Sequence, residues 1–134
     1  MAEMKMLTYG ADGLQNGWLM ELQKDGDKTV SYLTTVFPGG FKGYHLHRIR
    51  QANYVCLKGQ VLVTTFHWRG FWEKRERVLR CGDTMNISVN VPTGLLNLGK
   101  DDAWIVNFPN PAYDPRVQEQ VEYTILEICN GVRK

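Results

Sequence analysis

The 134-residue sequence has few cysteines and histidines, and it has no large excess of charge of either sign. Its three cysteines are odd in number and show no C-x-x-C spacing, which argues against a disulfide framework and against a zinc knuckle. A net charge of +2 is too small to indicate nucleic-acid binding. The composition is that of an ordinary globular protein, for which we expect a small-molecule substrate and no nucleic-acid partner.

Long apolar runs are also missing. No stretch approaches the roughly 18 apolar residues of a membrane span, and the first ten residues lack the apolar centre of a signal peptide. We therefore expect a soluble, cytoplasmic protein with no membrane partner.

Short β-type runs separated by turn residues recur along the chain, and no helical periodicity intervenes. Thr29 to Phe37, for example, is rich in β-branched and aromatic residues and ends at a Pro-Gly-Gly turn. The runs at 53–57 and 60–68 flank a Lys-Gly pair, which is a hairpin signal. Strands of this length and spacing predict an all-β sandwich or barrel.

The predicted helix lies in the carboxyl-terminal region. Pro115 to Gln120 can form a turn after Asp114, because aspartate suits an N-cap and proline suits the first helical position. Val121 to Ile128 is equally consistent with a last strand, since its apolar residues alternate. With no linker and no internal repeat, the sequence predicts one domain with at most one short carboxyl-terminal helix.

His45 and His47 form the most informative pair of residues. Residues i and i+2 of an extended segment point to the same face, so the two imidazoles project together while Tyr44 and Leu46 face the other way. Such a pair can ligate a metal, or one ring can act as a base and the other as its hydrogen-bonding partner. For an arbitrary His-x-His, two polar residues at a sheet edge are the alternative.

The spacing around these histidines resembles the paired sequence motifs of the cupin superfamily. The first motif is matched at every interval by Gly39-x5-His45-x-His47-x4-Ala52-x6-Gly59. After 22 intervening residues, the second is matched by Gly82-x5-Ser88-x-Asn90-x2-Thr93-x3-Asn97. The resemblance implies a single cupin domain over residues 1–134, a jelly-roll β-barrel with its core at about 18–123.

Two of the four metal-ligand positions of the cupin motifs are changed. Ala52 stands where the first motif has a glutamate, and Thr93 stands where the second has a histidine. A transition-metal site usually needs three or four protein ligands, so His45 and His47 alone would bind a metal weakly. We therefore expect no metal and no cofactor.

Within the cupins, the segment Phe41-Lys42-Gly43-Tyr44-His45-Leu46-His47 resembles that of the deoxysugar-nucleotide branch. This metal-independent branch contains the dTDP-4-dehydrorhamnose 3,5-epimerases and the dTDP-4-keto-6-deoxyglucose 3,4-ketoisomerases. The resemblance implies an isomerase or epimerase that removes the proton α to the ketone of a nucleotide-linked 4-keto-deoxysugar. Because cupins often pair, it also implies a homodimer.

The same resemblance assigns roles to individual residues. His45 is the expected base, because an imidazole with a pKa near 6.5 suits proton removal at neutral pH. His47 is expected to donate to the sugar or to shuttle the proton, and Tyr32 is the candidate second acid. The expected substrate-binding residues are Lys42, Arg69, Thr93, Asn107 and Tyr113.

Lys42 falls where the epimerases place a cationic contact to the diphosphate, and the Arg69 guanidinium suits a bidentate phosphate contact. Asn107 lies near the position of the epimerase tyrosine that returns the proton, which an asparagine cannot do. The epimerases also have a carboxylate that supports the histidine, and no residue of this sequence is matched to it. A one-base reaction, such as ketoisomerisation or single epimerisation, is therefore favoured over 3,5-epimerisation.

Two other functions fit the same residues. One is a cupin enzyme that isomerises, cyclises or eliminates on a small substrate without a nucleotide, which the changed epimerase positions favour. The other is a non-catalytic binding module, since a fold does not dictate a function.

Overall fold

The computed structural model describes residues 4–8 and 15–134 of the chain. This part of the chain contains eleven β-strands and one short helix. The elements are β1 (Met4–Thr8), β2 (Gln15–Asp25), β3 (Lys28–Val36), β4 (Phe41–His47), β5 (Ala52–Lys58), β6 (Gln60–Trp68), β7 (Trp72–Arg80), β8 (Thr84–Ile87), β9 (Thr93–Leu96), β10 (Ala103–Asn107), β11 (Gln120–Glu122) and α1 (Ile125–Cys129).

The strands form two antiparallel sheets. One sheet has six strands in the order β1-β2-β3-β10-β5-β8, and the other has five in the order β11-β4-β9-β6-β7. Strands far apart in sequence, such as β3 and β10, lie side by side, so the chain crosses between the sheets instead of running as a meander. This is jelly-roll topology, and the predicted all-β class is confirmed.

The main hydrophobic core contains side chains from both sheets. Its members come from every second position of their strands, as the alternation of apolar residues in the sequence predicts. The fully buried ones are Val36, Cys56, Val61, Val63, Leu79, Ala103 and Ile105. Burying one large aliphatic side chain of this set contributes about 1.5–3 kcal/mol.

The glycine and asparagine of the motifs shape two turns. Gly59 joins β5 to β6 at φ +71°, where a side chain would be strained and would also crowd the Asp102 carbonyl. Asn97 is buried after β9 and donates through its amide to the carbonyls of Val36 and Asp101, each at 2.8 Å. These contacts fix the loop between β9 and β10.

A second, smaller apolar cluster contains Leu46, Phe66, Tyr123 and Ile128, with Tyr44 packed against it. Leu46 and Tyr44 thus lie apart from the histidines of the same strand, as alternation predicted. Ile128 brings α1 onto this cluster. The helix begins after Thr124, whose hydroxyl accepts from the Glu127 N–H in a capping box.

The helix predicted at Pro115 to Gln120 is wrong in position. Asp114 accepts from the Arg116 N–H at 3.0 Å and stabilises only a turn there. Gln120 already belongs to β11, because its backbone pairs with β4 at His47. Within the described ranges, α1 is the one helix, and its five residues cannot cross a bilayer.

Candidate active site

A cavity of about 290 Å³ lies between the two sheets and is lined by residues of both. The five-stranded sheet contributes residues of β4 and β9, and the six-stranded sheet contributes residues of β3 and β10. Seven of the eight site residues predicted from the sequence line it: Tyr32, Lys42, His45, His47, Thr93, Asn107 and Tyr113. The structure thus brings them together, while the role of each stays a prediction.

Arg69 is the exception, because it lies away from this cavity, and its phosphate contact stays a prediction. It lies in the turn between β6 and β7, with 64% of its side chain exposed, and its Nη1 lies 3.1 Å from Glu73 Oε2. The two strands pair continuously out to Trp68 and Trp72, and no residue of either strand lines the cavity. The hairpin therefore holds Arg69 at the surface.

A β-bulge in β4 turns both Lys42 and the histidines toward the cavity. Lys42 pairs with Leu95 of β9, and His45 pairs with Thr93, so three steps along β4 match two along β9. The extra residue lets side chains at positions i and i+3 share one face. Gly43 lies within the bulge, where a Cβ would lie only 2.1 Å from the Phe41 ring.

Arg50 organises one side of the cavity, although its sequence position gave no hint of this. Its Nε lies 3.0 Å from Glu119 Oε1, and its guanidinium carbon lies 4.3 Å from the centre of the Tyr113 ring. Both charged side chains are less than 10% exposed. Glu119 also accepts the backbone N–H groups of Ile49 and Arg50, which fixes the carboxylate in place.

His47 is neutral because of this arrangement. Burial, the positive charge of Arg50 and the nearby ring of His45 lower the pKa of His47 to about 3. Arg50 Nε donates to its Nδ1 at 3.3 Å, so the ring proton lies on Nε2. The Glu119 carboxylate, 3.9 Å from Nδ1, is therefore not in an ion pair with His47. The lowered pKa makes His47 a weaker base than an ordinary imidazole.

His45 has a different environment, although its ring centre lies only 5.8 Å from that of His47. Burial lowers the pKa of His45, while the Glu122 carboxylate and a hydrogen bond to the Gly43 backbone oppose that shift. A neutral imidazole that donates one N–H to a carbonyl has its lone pair on the other nitrogen. His45 therefore has the protonation state of a base.

Tyr32 and Asn107 are cross-strand neighbours on β3 and β10. Asn107 accepts the Asn53 N–H at 2.9 Å through its Oδ1, which orients the amide so that Nδ2 donates to the Tyr32 oxygen at 2.6 Å. Burial raises the pKa of Tyr32, so the phenol stays protonated. Asn107 thus holds the hydroxyl of a tyrosine on the neighbouring strand, and the role of Tyr32 as the second acid stays a prediction.

Arg50 and Glu119 are the residues that sequence reasoning missed. Arg50 follows β4 in a loop, where alternation does not apply, and Glu119 is 72 positions from His47 in the sequence. Only the pairing of β11 with β4 places that carboxylate beside the histidine. Glu119 thus places beside His47 a carboxylate that the sequence did not predict.

The donor set does not fit a catalytic metal of the usual cupin kind. Ala52 and Thr93 both line the cavity at the two changed positions, and neither replaces a carboxylate or an imidazole. The Nδ1 of His47 already accepts from Arg50. Within the described ranges, no three His, Cys, Asp or Glu side chains are grouped so that they could hold a metal ion.

Solved structures of similar fold include the capsular polysaccharide assembling protein CapF from Staphylococcus aureus, which matches 92% of this chain with a TM-score of 0.74 and 19% identity. A structure of oxalate oxidase matches 69% of the chain with a TM-score of 0.61 and 26% identity. The Drosophila melanogaster CENP-C cupin domain matches 78% with a TM-score of 0.63 and 14% identity. The matched regions are 33%, 44% and 75% of those three chains, so this chain spans about a third of CapF.

These likenesses show a cupin fold, and the cupin superfamily predicted from the two motifs is confirmed. The deoxysugar-nucleotide branch stays a prediction. No protein-family profile and no curated protein sequence matches the chain.

Proposed function

We propose that the protein is a metal-independent cupin isomerase or epimerase that moves a proton next to the ketone of a nucleotide-linked 4-keto-deoxysugar. The observation that carries the proposal is the placement of a neutral histidine and a protonated tyrosine on opposite sheets around one cavity. His45 lies on β4 and Tyr32 on β3, so a bound sugar can present one face to each. The likeness to a capsular polysaccharide protein supports a sugar substrate.

Each of the three polar side chains has one task in this reaction. His45 removes the proton α to the ketone, the Nε2–H of His47 donates to the enolate oxygen as negative charge develops, and Tyr32 returns a proton to carbon. A positioned acid or base contributes about 10²–10⁴-fold to such a step. No step requires a metal or a redox cofactor.

The size of the cavity bears on the nucleotide. Pockets for drug-sized ligands occupy about 300–1,000 Å³, so about 290 Å³ suits a sugar ring and little more. A second cavity of about 260 Å³ shares Arg50, Tyr113 and Gln120 with the first. We assign the sugar to the first cavity and the nucleotide to the second, with Tyr113 as the stacking surface between them.

Ligand protection tests the nucleotide directly. Thermal unfolding is followed with dTDP, UDP, GDP and CDP, each at saturating concentration, with zinc and iron salts as separate arms. A ligand at about 100 times its dissociation constant adds about 2.7 kcal/mol to folding. Stabilisation by one nucleoside diphosphate, and its loss in Tyr113→Ala, supports the proposal. Stabilisation by a metal salt alone would refute the metal-independent mechanism.

A cupin enzyme acting on a small carbonyl compound without a nucleotide is the second candidate. Two observations favour it: Arg69 lies away from the cavity, and Glu119 and Glu122 line the second cavity, where a diphosphate would meet negative charge. Protection by a free keto sugar, with no response to any nucleotide, selects this candidate. The expected homodimer and the cytoplasmic setting stay predictions, which light scattering and localisation would test.

A further inference from the structure

Lys42 is the buried group that the proposed mechanism does not use. The residue is only 4% exposed, yet it lines the same cavity as His45. Simple alternation along β4 would turn it to the face of Tyr44 and Leu46, and the bulge reverses this. The fold therefore has a specific local device, which depends on Gly43, that brings a primary amine into the cavity.

Lys42 shares the cavity with both polar and apolar side chains. Leu95 is its partner on β9, and Leu19 and Ile105 line the same cavity. Burial lowers the pKa of Lys42 to about 7, so at neutral pH a large share of the amine is unprotonated and nucleophilic. The charge of Lys42 is the smallest of the causes that lower the pKa of His45, and both side chains line the same cavity.

We propose that Lys42 is a catalytic nucleophile that forms an imine with the ketone of the substrate. This inference rests on the proposed function and deepens it, because it names how the carbonyl is activated. The carbonyl then reacts as an imine and not as an enolate, and the Nε2–H of His47 donates to the carbonyl oxygen while Lys42 attacks. Its geometric basis is a buried amine and a base histidine turned to one face of a strand by one bulge. This role replaces the diphosphate contact predicted for Lys42 from the sequence, because an uncharged amine attracts a phosphate less than a protonated one does.

The chemistry balances with water and one proton from solvent. The Lys42 nitrogen attacks the carbonyl carbon, and a proton moves from nitrogen to oxygen. A second proton, taken from solvent, lets that oxygen leave as water and gives a protonated imine. His45 removes the neighbouring C–H proton, and the electron pair of that bond forms an enamine. Protonation at carbon by Tyr32 restores the protonated imine, and water then attacks it to release the ketone, the amine and the proton that came from solvent. His45 passes its proton to solvent, and Tyr32 regains one from solvent.

Reductive trapping tests the amine without knowledge of the true substrate. The protein is incubated near pH 7 with dihydroxyacetone as the probe and with sodium cyanoborohydride, and labelled peptides are mapped by mass spectrometry. An amine with a pKa near 7 has about 10³ times the neutral fraction of an ordinary lysine, so we expect Lys42 to be labelled at least about tenfold faster than surface lysines. Lys24, whose side chain is 48% exposed, is the internal control.

Labelling confined to surface lysines, with Lys42 unmodified, would overturn the imine. The map of the wild-type protein decides this point, so the result does not depend on a variant that folds. Lys42→Met is added with Lys24→Met as its match, and both are assayed for solvent-deuterium exchange into the keto sugar. Exchange that persists in Lys42→Met overturns the imine and retains the isomerase. Labelling of Lys42 in a protein that catalyses no exchange retains the reactive amine and overturns the isomerase.

Discussion

The two sides of the cavity use similar side chains under different electrostatic control. On the lysine side, formed by Lys42, His45 and Thr93, burial is the largest cause of the pKa shifts, and the cations are disfavoured because water is excluded. On the arginine side, formed by His47, Arg50 and Glu119, burial is again the largest cause of the lowered pKa, and a fixed guanidinium that donates to the imidazole lowers it further.

The contrast shows how two histidines separated by one residue acquire different roles. Both rings lie on one wall of the cavity, and both are neutral, yet one has its ring proton fixed on the side facing away from Arg50. The neighbouring loops, and not strand β4 itself, create this difference. His47 becomes a donor because Arg50 and Glu119 surround its Nδ1, whereas His45 keeps a lone pair for proton removal.

The largest effect on proton exchange should come from substitution of His45 on the lysine side. His45→Asn removes the base while leaving an amide that can still donate to the Gly43 backbone, so we expect proton exchange at the sugar to fall by about 10²–10⁴-fold. His47→Gln keeps an N–H donor and should lose far less. Solvent-deuterium incorporation followed by NMR measures both variants, with circular dichroism as the folding control. Equal losses in the two variants would contradict the division of roles.

The next effect comes from the arginine side and concerns stability. Arg50→Met leaves the Glu119 carboxylate buried without its cation, which should cost about 3–5 kcal/mol of unfolding free energy. The double variant Arg50→Met/Glu119→Gln should recover much of this loss, and urea unfolding measures both.

The same variant should also raise the pKa of His47, because one positive charge is gone. The rise is partial, since burial remains the largest cause of the lowered pKa. Imidazole NMR signals followed through a pH titration report it. An unchanged His47 titration in Arg50→Met would show that the guanidinium does not hold the ring neutral.

The pH dependence of stability separates the two sides without any substrate. A folded pKa below the unfolded value means that the unfolded chain binds more protons, so stability rises with pH between the two values. For His47 this window runs from about pH 3 to 6.5, and for Lys42 from about pH 7 to 10.5. Each pKa unit corresponds to about 1.4 kcal/mol, so each window is worth a few kcal/mol.

Two substitutions assign these windows. Lys42→Met should flatten the alkaline window only, and His47→Gln should reduce the slope of the acidic window, where His45 also contributes. Chemical denaturation at a series of pH values gives the slopes. A wild-type slope that persists above pH 7 in Lys42→Met would mean that the amine is charged in the folded protein.

Much of the fold could be predicted from the sequence because strands obey a period of two and turns carry glycine. The all-β class and the shared face of His45 and His47 both follow from these rules, whereas the jelly roll was predicted from the resemblance to the cupin motifs. Lys42 is the informative case. Its presence in the site was predicted from resemblance alone, and alternation would have placed it outside, because a bulge is set by how β4 and β9 pair and not by β4 itself.

The rest of the site depends on contacts between segments that no local pattern joins. Glu119 reaches His47 only through the pairing of β11 with β4, and Tyr32 meets Asn107 only through the register of β3 with β10. A missing tyrosine at position 107 looked like a loss of function in the sequence. In the structure, the hydroxyl of Tyr32 on the neighbouring strand lies 2.6 Å from Asn107 Nδ2, which makes Tyr32 the candidate for that task.

The smallest effect should come from Arg69, the arginine for which the sequence predicted a phosphate contact. Its substitution is the matched comparison for Arg50. Its ion pair with Glu73 is exposed, and such pairs contribute about 0.2–1 kcal/mol. Arg69→Met should therefore change unfolding free energy by less than about 1 kcal/mol, and it should leave protection by ligands unchanged. Arg50→Met, the same substitution inside the cavity, should lower the unfolding free energy and should also abolish protection by ligands. Loss of ligand protection in Arg69→Met would mean that a phosphate lies at the β6–β7 turn, and the assignment of the nucleotide to the second cavity would then be wrong.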